Sequence, residues 1–257
     1  MSVAAPAAGA TARIEVRGLK MESRGEVVQS GLDFEVRTGA ILAITGDGGS
    51  GKSFLLRHLI GLHRPAAGEV LCDGESLWGL GESHREAQMR RFGVLFQGAV
   101  LVSSMTLLEN VAVKLRLNTR MSAAEADEFA ALKLAVMGLR GYEHYFPSQV
   151  TEGVRTRASL ARATALDPEI LFFDEPTAGL DPLAARRIDD LIRGLRDAMG
   201  ATIVLASHDL ASLFALADEV VFLDSERKTM IAKGRPDELR DRCEDPKVRA
   251  FLTRERL

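Results

Sequence analysis

Three groups of residues in this chain are suited to handling phosphate. The first is GDGGSGKS, Gly46 to Ser53, which fits the spacing G-x-x-x-x-G-K-[ST]. Glycines at 48, 49 and 51 allow a backbone curl that points successive N–H groups at anionic oxygens, and a helix starting there adds its positive end. Lys52 brings a mobile charge for β- and γ-phosphates, and the Ser53 hydroxyl can ligate Mg2+. Gly46, Asp47 and Ser50 complete the loop. The second group is the carboxylate pair that ends ILFFDE, Asp174 and Glu175. Neighbours in a strand point opposite ways, so the pair divides its work: Asp174 suits a Mg2+ shell, and Glu175 suits polarising an attacking water. The third is His208, which follows the apolar run IVLAS and suits a γ-phosphate contact.

Such chemistry needs elements that bring these groups to one edge. ARIEVRG, GLDFEVRTG and AILAITG read as strands joined by turns, with AILAITG the most buried. The glycine-rich stretch after it gives way to Phe54, Leu55, Leu59 and Leu62 at helical spacing, which predicts strand, loop, helix. A helical insert is expected over about 98–166, from TLLENVAVKLRL, SAAEADEFAALKLAVMGL and VRTRASLARATAL. EILFFDE and ATIVLASHD then flank the amphipathic LAARRIDDLIRGLRDAM, and EVVFLDSE is the last strand candidate before a polar helical tail over about 236–257. Alternation of this kind predicts an α/β fold, its mainly parallel sheet covered on both faces and its ligands at the carboxyl edge.

The totals narrow the partners. With 33 basic and 36 acidic residues the net charge is -3, which gives no electrostatic reason for nucleic acid or anionic lipid as principal partner. Cys72 and Cys243 are too few for a disulfide framework and too widely spaced for a metal knuckle, so free thiols in a reducing compartment are expected. No apolar run approaches the roughly 20 residues that cross a bilayer. The opening MSVAAPAAGA lacks a basic start and a long apolar middle, so residues 1–12 read as a loose, flexible tail rather than a secretion signal. These features predict a chain that stays in the cytosol or on the cytosolic face of a membrane. His58, His63, His84, His144 and Trp78 read as surface or packing residues.

Taken in order, GDGGSGKS, Gln97 within GVLFQGAV, VTEGV at 150–154, ILFFDE, AGLD and His208 resemble the motifs of the ATP-binding cassette (ABC) transporter ATPases over nearly the whole chain. The resemblance implies a P-loop NTPase core over 13–257 with an N-terminal antiparallel β subdomain and an α-helical subdomain. It implies ATP and Mg2+ as cofactors, Gln97 joining Ser53 and Asp174 around the metal, and hydrolysis served by Glu175, His208 and Gln97. It also implies a head-to-tail homodimer, each ATP lying between one copy's glycine-rich loop and the other's Thr151, Glu152 and Gly153. Gln97 and the helical insert are then expected to grip a membrane permease. A narrower resemblance, carried by RRFGVLFQGAVLVSSMTLLENVAVKL, MGLRGYEHYFPSQ and CEDPKVRAFL, is to ATPases of the Mla type. Those energise lipid movement between Gram-negative membranes through a permease and a periplasmic MCE subunit. The implied setting is peripheral, on the cytoplasmic side of the inner membrane, with MCE and small STAS-type subunits and no nucleic acid. Polar-solute importers share much of the skeleton. Soluble ABC proteins that act on nucleic acid or ribosomes commonly carry two cassettes or coiled-coil insertions, and this chain has one cassette and no heptad run.

The stretch VTEGV departs from the family's LSGGQ. Thr151 keeps a hydroxyl and is a competent helix N-cap. Val154 gives up a polar contact. Glu152 sets a carboxylate where the helix amide end should meet phosphate; at ~8 Å its repulsion is about 0.5 kcal/mol in water-like screening and about 2 kcal/mol at an effective dielectric of 20. A live but slowed site is expected, with silenced hydrolysis as the rival reading. The family's adenine-stacking aromatic is missing from LKMESRGEVV, leaving Met21 or Arg24 in its place.

Overall fold

In chain order, β1 (Ala12–Ser23) and β2 (Glu26–Arg37) precede β3 (Ile41–Gly46) and α1 (Lys52–Leu59). β4 (Ala67–Cys72), β5 (Glu75–Ser76), α2 (Glu82–Arg90) and β6 (Phe92–Leu95) come after them. Next are the helices α3 (Leu107–Asn118), α4 (Ala123–Val136) and α5 (Glu152–Ala163). β7 (Ile170–Asp174), α6 (Pro182–Met199), β8 (Thr202–Ala206), α7 (Leu210–Leu216), β9 (Glu219–Asp224) and β10 (Thr229–Gly234) lead to α8 (Pro236–Arg242) and α9 (Pro246–Thr253). This computed structural model describes residues 12–79 and 81–254. The expected tail lies outside them, save for Ala12, which opens β1.

The strands form two sheets. An antiparallel one has the order β2-β1-β4-β5, and a six-stranded one has the order β10-β9-β3-β8-β7-β6, parallel except at β10. β3, β7 and β8 are buried along their whole length, as central parallel strands must be. Their alternation deals residues to two faces. Leu171, Phe173, Ile203 and Leu205 pack with α3 to α6, while Ile170, Phe172, Val204, Leu42 and Ile44 pack with α1 and the antiparallel sheet. A third cluster joins Phe222 of β9 to Leu239 of α8 and Val248 and Leu252 of α9, so the polar-looking tail is docked on the sheet.

Some expectations need correction. Within the insert residues 98–106 form a loop, and α3 starts after Thr106, whose side chain makes a capping box with Glu109. EVVFLDSE is not the last strand, because β10 pairs antiparallel with β9 beyond a short turn. Sequence reading also passed over β4, β5, α2 and β6.

One acid intrudes on the core. Asp189 of α6 is buried, with Oδ2 3.0 Å from the Ser212 hydroxyl and no hydrogen-bond partner at Oδ1 among the described residues. Ser212 Oγ is also 3.2 Å from Asp209 Oδ2, and its one proton serves a single carboxylate at a time. Burial pushes the Asp189 carboxyl up to about 6 against the opposing Ser212 bond, and the nearby charges of Asp209 and Asp190 add to the rise. A folded-state value above the unfolded one means that stability present below pH ~4 is lost as pH rises through about 6. Asp189→Asn should therefore raise stability by ~1–3 kcal/mol at pH 8 and by much less at pH 5. Urea unfolding of both proteins at the two pH values checks this, and an equal difference at both would contradict it.

Candidate active site

The register of the parallel sheet sets the site. Ile44 pairs with Ala206, Asp174 with Ala206 and Gly46 with Leu223, so β3, β7, β8 and β9 end at one level. The segments leaving these strands are therefore brought to a common edge: the loop 46–51 after β3, Glu175 after β7 and His208 after β8.

The loop turns by left-handed residues at Gly46, Gly49 and Gly51; Gly48, grouped with them by sequence, has no positive φ. A Cβ at Gly46 would stand 2.1 Å from the Leu223 carbonyl oxygen, which forbids any side chain there. Gly51, at φ 86°, is the N-cap of α1 and offers no side-chain oxygen, so the first amides of that helix are left for a ligand. A Cβ there would meet Val28 at 2.7 Å, which shows how closely β2 backs the loop. Lys52 Nζ donates to the carbonyls of Gly46 (3.0 Å) and Asp47 (3.1 Å), and so spans the loop's mouth. Burial draws its proton affinity down, while Glu175, Asp47 and Asp174 support its charge.

Two loop residues turn their side chains away from the loop's mouth. The Ser50 side chain is buried in the protein, so it can meet a ligand only through its backbone. The Asp47 carboxylate turns away to accept from the Ser225 amide (3.1 Å) and hydroxyl. Gln29, unremarked in the sequence, is fully buried and donates to the carbonyls of Ser50 (2.8 Å) and Asp224 (3.0 Å), tying the loop to the end of β9. Of the adenine candidates, Met21 is sealed in the core, and Arg24 sits exposed at the β1–β2 hairpin tip.

Ser53 Oγ donates to Asp174 Oδ1 at 2.7 Å. Burial pushes the Asp174 carboxyl up, opposed by the Ser53 bond and reinforced by Glu175. A buried carboxylate paired with a hydroxyl is a donor set that fits a hard cation such as Mg2+. Glu175 is not in the strand: its φ of 48° is left-handed, and this turn, rather than strand alternation, separates it from Asp174. Such a conformation costs on the order of 1 kcal/mol and persists only where the surroundings enforce it. Here the Glu175 amide continues the ladder to Ala206 O (2.8 Å), and its Oε1 accepts from His208 Nδ1 (2.8 Å). The imidazole is otherwise largely exposed, and the pair lines a cleft of about 470 Å³ with Thr177, Gly179 and Asp189. Gln97 lies exposed in the turn after β6, whose Leu95 pairs with Phe173, next to the carboxylate edge.

Thr151, Glu152 and Gly153 begin α5, and Gly153 packs near Leu180, which precedes α6, and Ala184 in its first turn. Thr151 is the N-cap by position, yet its hydroxyl makes no capping bond and stays exposed. Glu152 closes an ion pair with Arg155 one turn on. Val154 is 6% exposed and belongs to the core, so it surrenders no polar contact.

Residues 29–178 match the family described as ABC transporter. The chain belongs to the ABC transporter family. It is an ATP-binding, ATP-hydrolysing cassette. It is 34% identical to the intermembrane phospholipid transport system ATP-binding protein MlaF of Haemophilus influenzae, over 93% of this chain and 89% of that one. It is likewise 34% identical to the probable ribonucleotide transport ATP-binding protein mkl of Mycobacterium tuberculosis, over 95% of this chain and 67% of that one. Among solved structures it resembles a dimeric ATP-binding cassette in a post-hydrolysis state bound to ADP and Pi, at TM-score 0.77 and 26% identity, over 86% of this chain and 98% of that one. In this ABC cassette, restoring the family's polar residue by Val154→Gln should cost ~1–3 kcal/mol of stability, because an amide would enter an apolar core. Thermal unfolding checks this, and an unchanged midpoint would show that residue 154 does not face the core.

Proposed function

We propose that this cassette hydrolyses ATP as a head-to-tail homodimer and so drives a membrane permease that moves phospholipid, from the cytoplasmic side of the inner membrane. The observation that carries the hydrolytic reading is the paired arrangement of Ser53 with Asp174 and of His208 with Glu175 at one sheet edge beside the loop. The lipid reading is supported by the likeness to MlaF across 93% of the chain. The narrower sequence resemblance extends the assembly to periplasmic MCE and small STAS-type subunits.

In this reading the α1 amides and Lys52 hold the triphosphate. Ser53 and Asp174, joined by Gln97, are the residues that would hold Mg2+, which when bound offsets phosphate charge. Glu175 Oε2, free of the imidazole and 3.4 Å from the His208 amide, takes a proton from the attacking water as the water oxygen bonds to Pγ and the Pγ–O bond to the leaving ADP breaks. Because an ionised Glu175 can only accept, His208 Nδ1 must donate to it. With its proton on Nδ1, His208 presents Nε2 as an acceptor, so a donor contact to the γ-phosphate requires the ring to leave Glu175 and carry its proton on Nε2 instead. Across the dimer, the exposed Thr151 hydroxyl and the uncapped α5 amides receive the partner copy's γ-phosphate. Arg155 neutralises Glu152, so the repulsion falls towards its water-screened value. The site is live.

Glu175→Gln should abolish phosphate release while ATP binding persists, and should accumulate an ATP-bound dimer resolved by light scattering; full turnover by that variant would refute the assignment. Arg155→Ala should slow turnover of the assembled transporter roughly 2- to 10-fold by unmasking Glu152. Glu152→Gly in the same background should restore it. With the permease in vesicles, phospholipid should stimulate ATP hydrolysis, whereas stimulation by ribonucleotide or a polar solute alone would replace the lipid reading.

A further inference from the structure

Asp47 is an awkward residue to find in a loop that must accept a triphosphate. Its carbonyl binds the Lys52 ammonium and its carboxylate faces the C-terminal end of the fold, so one residue joins the loop's mouth to a distant helix. The helix is α9. Its Lys247 Nζ stands 3.0 Å from Asp47 Oδ2 and 2.8 Å from Asp224 Oδ2, with Glu226 at 4.0 Å. Asp224 is 1% exposed and also accepts from the amides of Glu226 and Arg227, which fixes the acid that Lys247 bridges to Asp47.

Nothing about α9 itself favours a lysine there. Asp245 is the N-cap, its carboxylate accepting from the Lys247 amide at 2.9 Å, so Lys247 sits in the first turn, where the positive helix end disfavours a cation. The two acids outside the helix offset that cost. The helix is firmly seated: Val248 and Leu252 are buried, Phe251 meets Phe222 edge to face at 5.1 Å, and Arg227 bonds Asp245 at 2.6 Å. Lys247 is therefore delivered to the loop by a rigid support.

We propose that α9 tunes ATP affinity through Lys247, a positioning residue that neutralises Asp47 and joins the Ser225 amide and hydroxyl in holding its carboxylate turned away from the phosphate cradle. Freed of Lys247, Asp47 adds an uncompensated negative charge to the loop and loosens the carbonyl pair that orients Lys52. A partner that lifts α9 off β9 would thereby lower nucleotide affinity. The proposal rests on the loop being the nucleotide site.

The test uses the full chain and a fluorescent ATP analogue, with turnover measured in the assembled transporter. Lys247→Met should weaken binding and raise KM for ATP roughly three- to tenfold, with kcat changed less than twofold. Lys247→Arg should bind as the parent does. Adding Asp47→Asn to Lys247→Met should recover most of the lost affinity, a rescue that a merely structural lysine would not produce. If Lys247→Met does not fold, Lys247→Met with Asp224→Asn removes the stranded buried acid and carries the same comparison. Unchanged affinity in Lys247→Met, or no rescue by Asp47→Asn, overturns the proposal. Lys52→Ala separates the two readings: if it binds ATP normally the loop assignment itself fails, and if it does not while Lys247→Met does, only the role of α9 fails.

Discussion

Negative charge at the carboxyl edge of the sheet is the constraint around which this protein is arranged. Asp47, Asp174 and Glu175 are gathered there by strand register, at the edge where we propose that the triphosphate binds. Left side by side, these charges would repel the ligand and one another by amounts comparable to the free energy of binding. Each carboxylate is instead given a partner. Asp174 takes the Ser53 hydroxyl, Glu175 takes His208, and Asp47 is turned to Ser225 and Lys247. Glu152, on α5, obeys the same rule with Arg155. Burial draws the proton affinity of Lys52 down, and the surrounding acids oppose that loss.

This arrangement explains why the edge tolerates strain. A left-handed glutamate is an expensive way to end a strand, but an extended Glu175 would keep to the strand's alternation and lose its place beside His208. The Glu175 amide bonded to Ala206 fixes the turn, and the wholly buried β7 and β8 fix Ala206. Packing of Phe172 and Phe173 on opposite faces thus secures the position of a carboxylate oxygen. The conformation belongs to the core as much as to the site.

Much of this was legible in the sequence because the central strands are continuous apolar runs and the phosphate loop has a fixed spacing. GDGGSGKS, ILFFDE and IVLASH each announce an element and the group it delivers. The elements that stayed hidden lacked such patterning. β10 is only partly buried along its length, and α2 buries just Gln88, so neither carries a strong apolar period. Ser50, Asp47 and Met21 were read by their place in a motif, and the fold turned their side chains elsewhere; a motif fixes backbone course more firmly than side-chain direction. Gln29, Asp189 and Lys247 have no local signal, since each matters through a contact far away in the chain, with Ser50 and Asp224, Ser212, and Asp47 and Asp224.

The unusual start of α5 reflects the same separation of backbone and side chain. A helix N-terminus binds phosphate through its amides, which are indifferent to side-chain identity provided nothing caps them. α2 and α8 also lack a side-chain cap, so an uncapped end alone marks nothing; the distinguishing mark of α5 is Gly153 set against the segment between β7 and α6. Within that frame each departure from the family pattern falls where it does least harm. Val154 points inward and completes a core, Thr151 points outward with an unspent hydroxyl, and Glu152 lies one helical turn from a guanidinium. The sequence departs from the family pattern at three positions, and the start of α5 stays free of a side-chain cap.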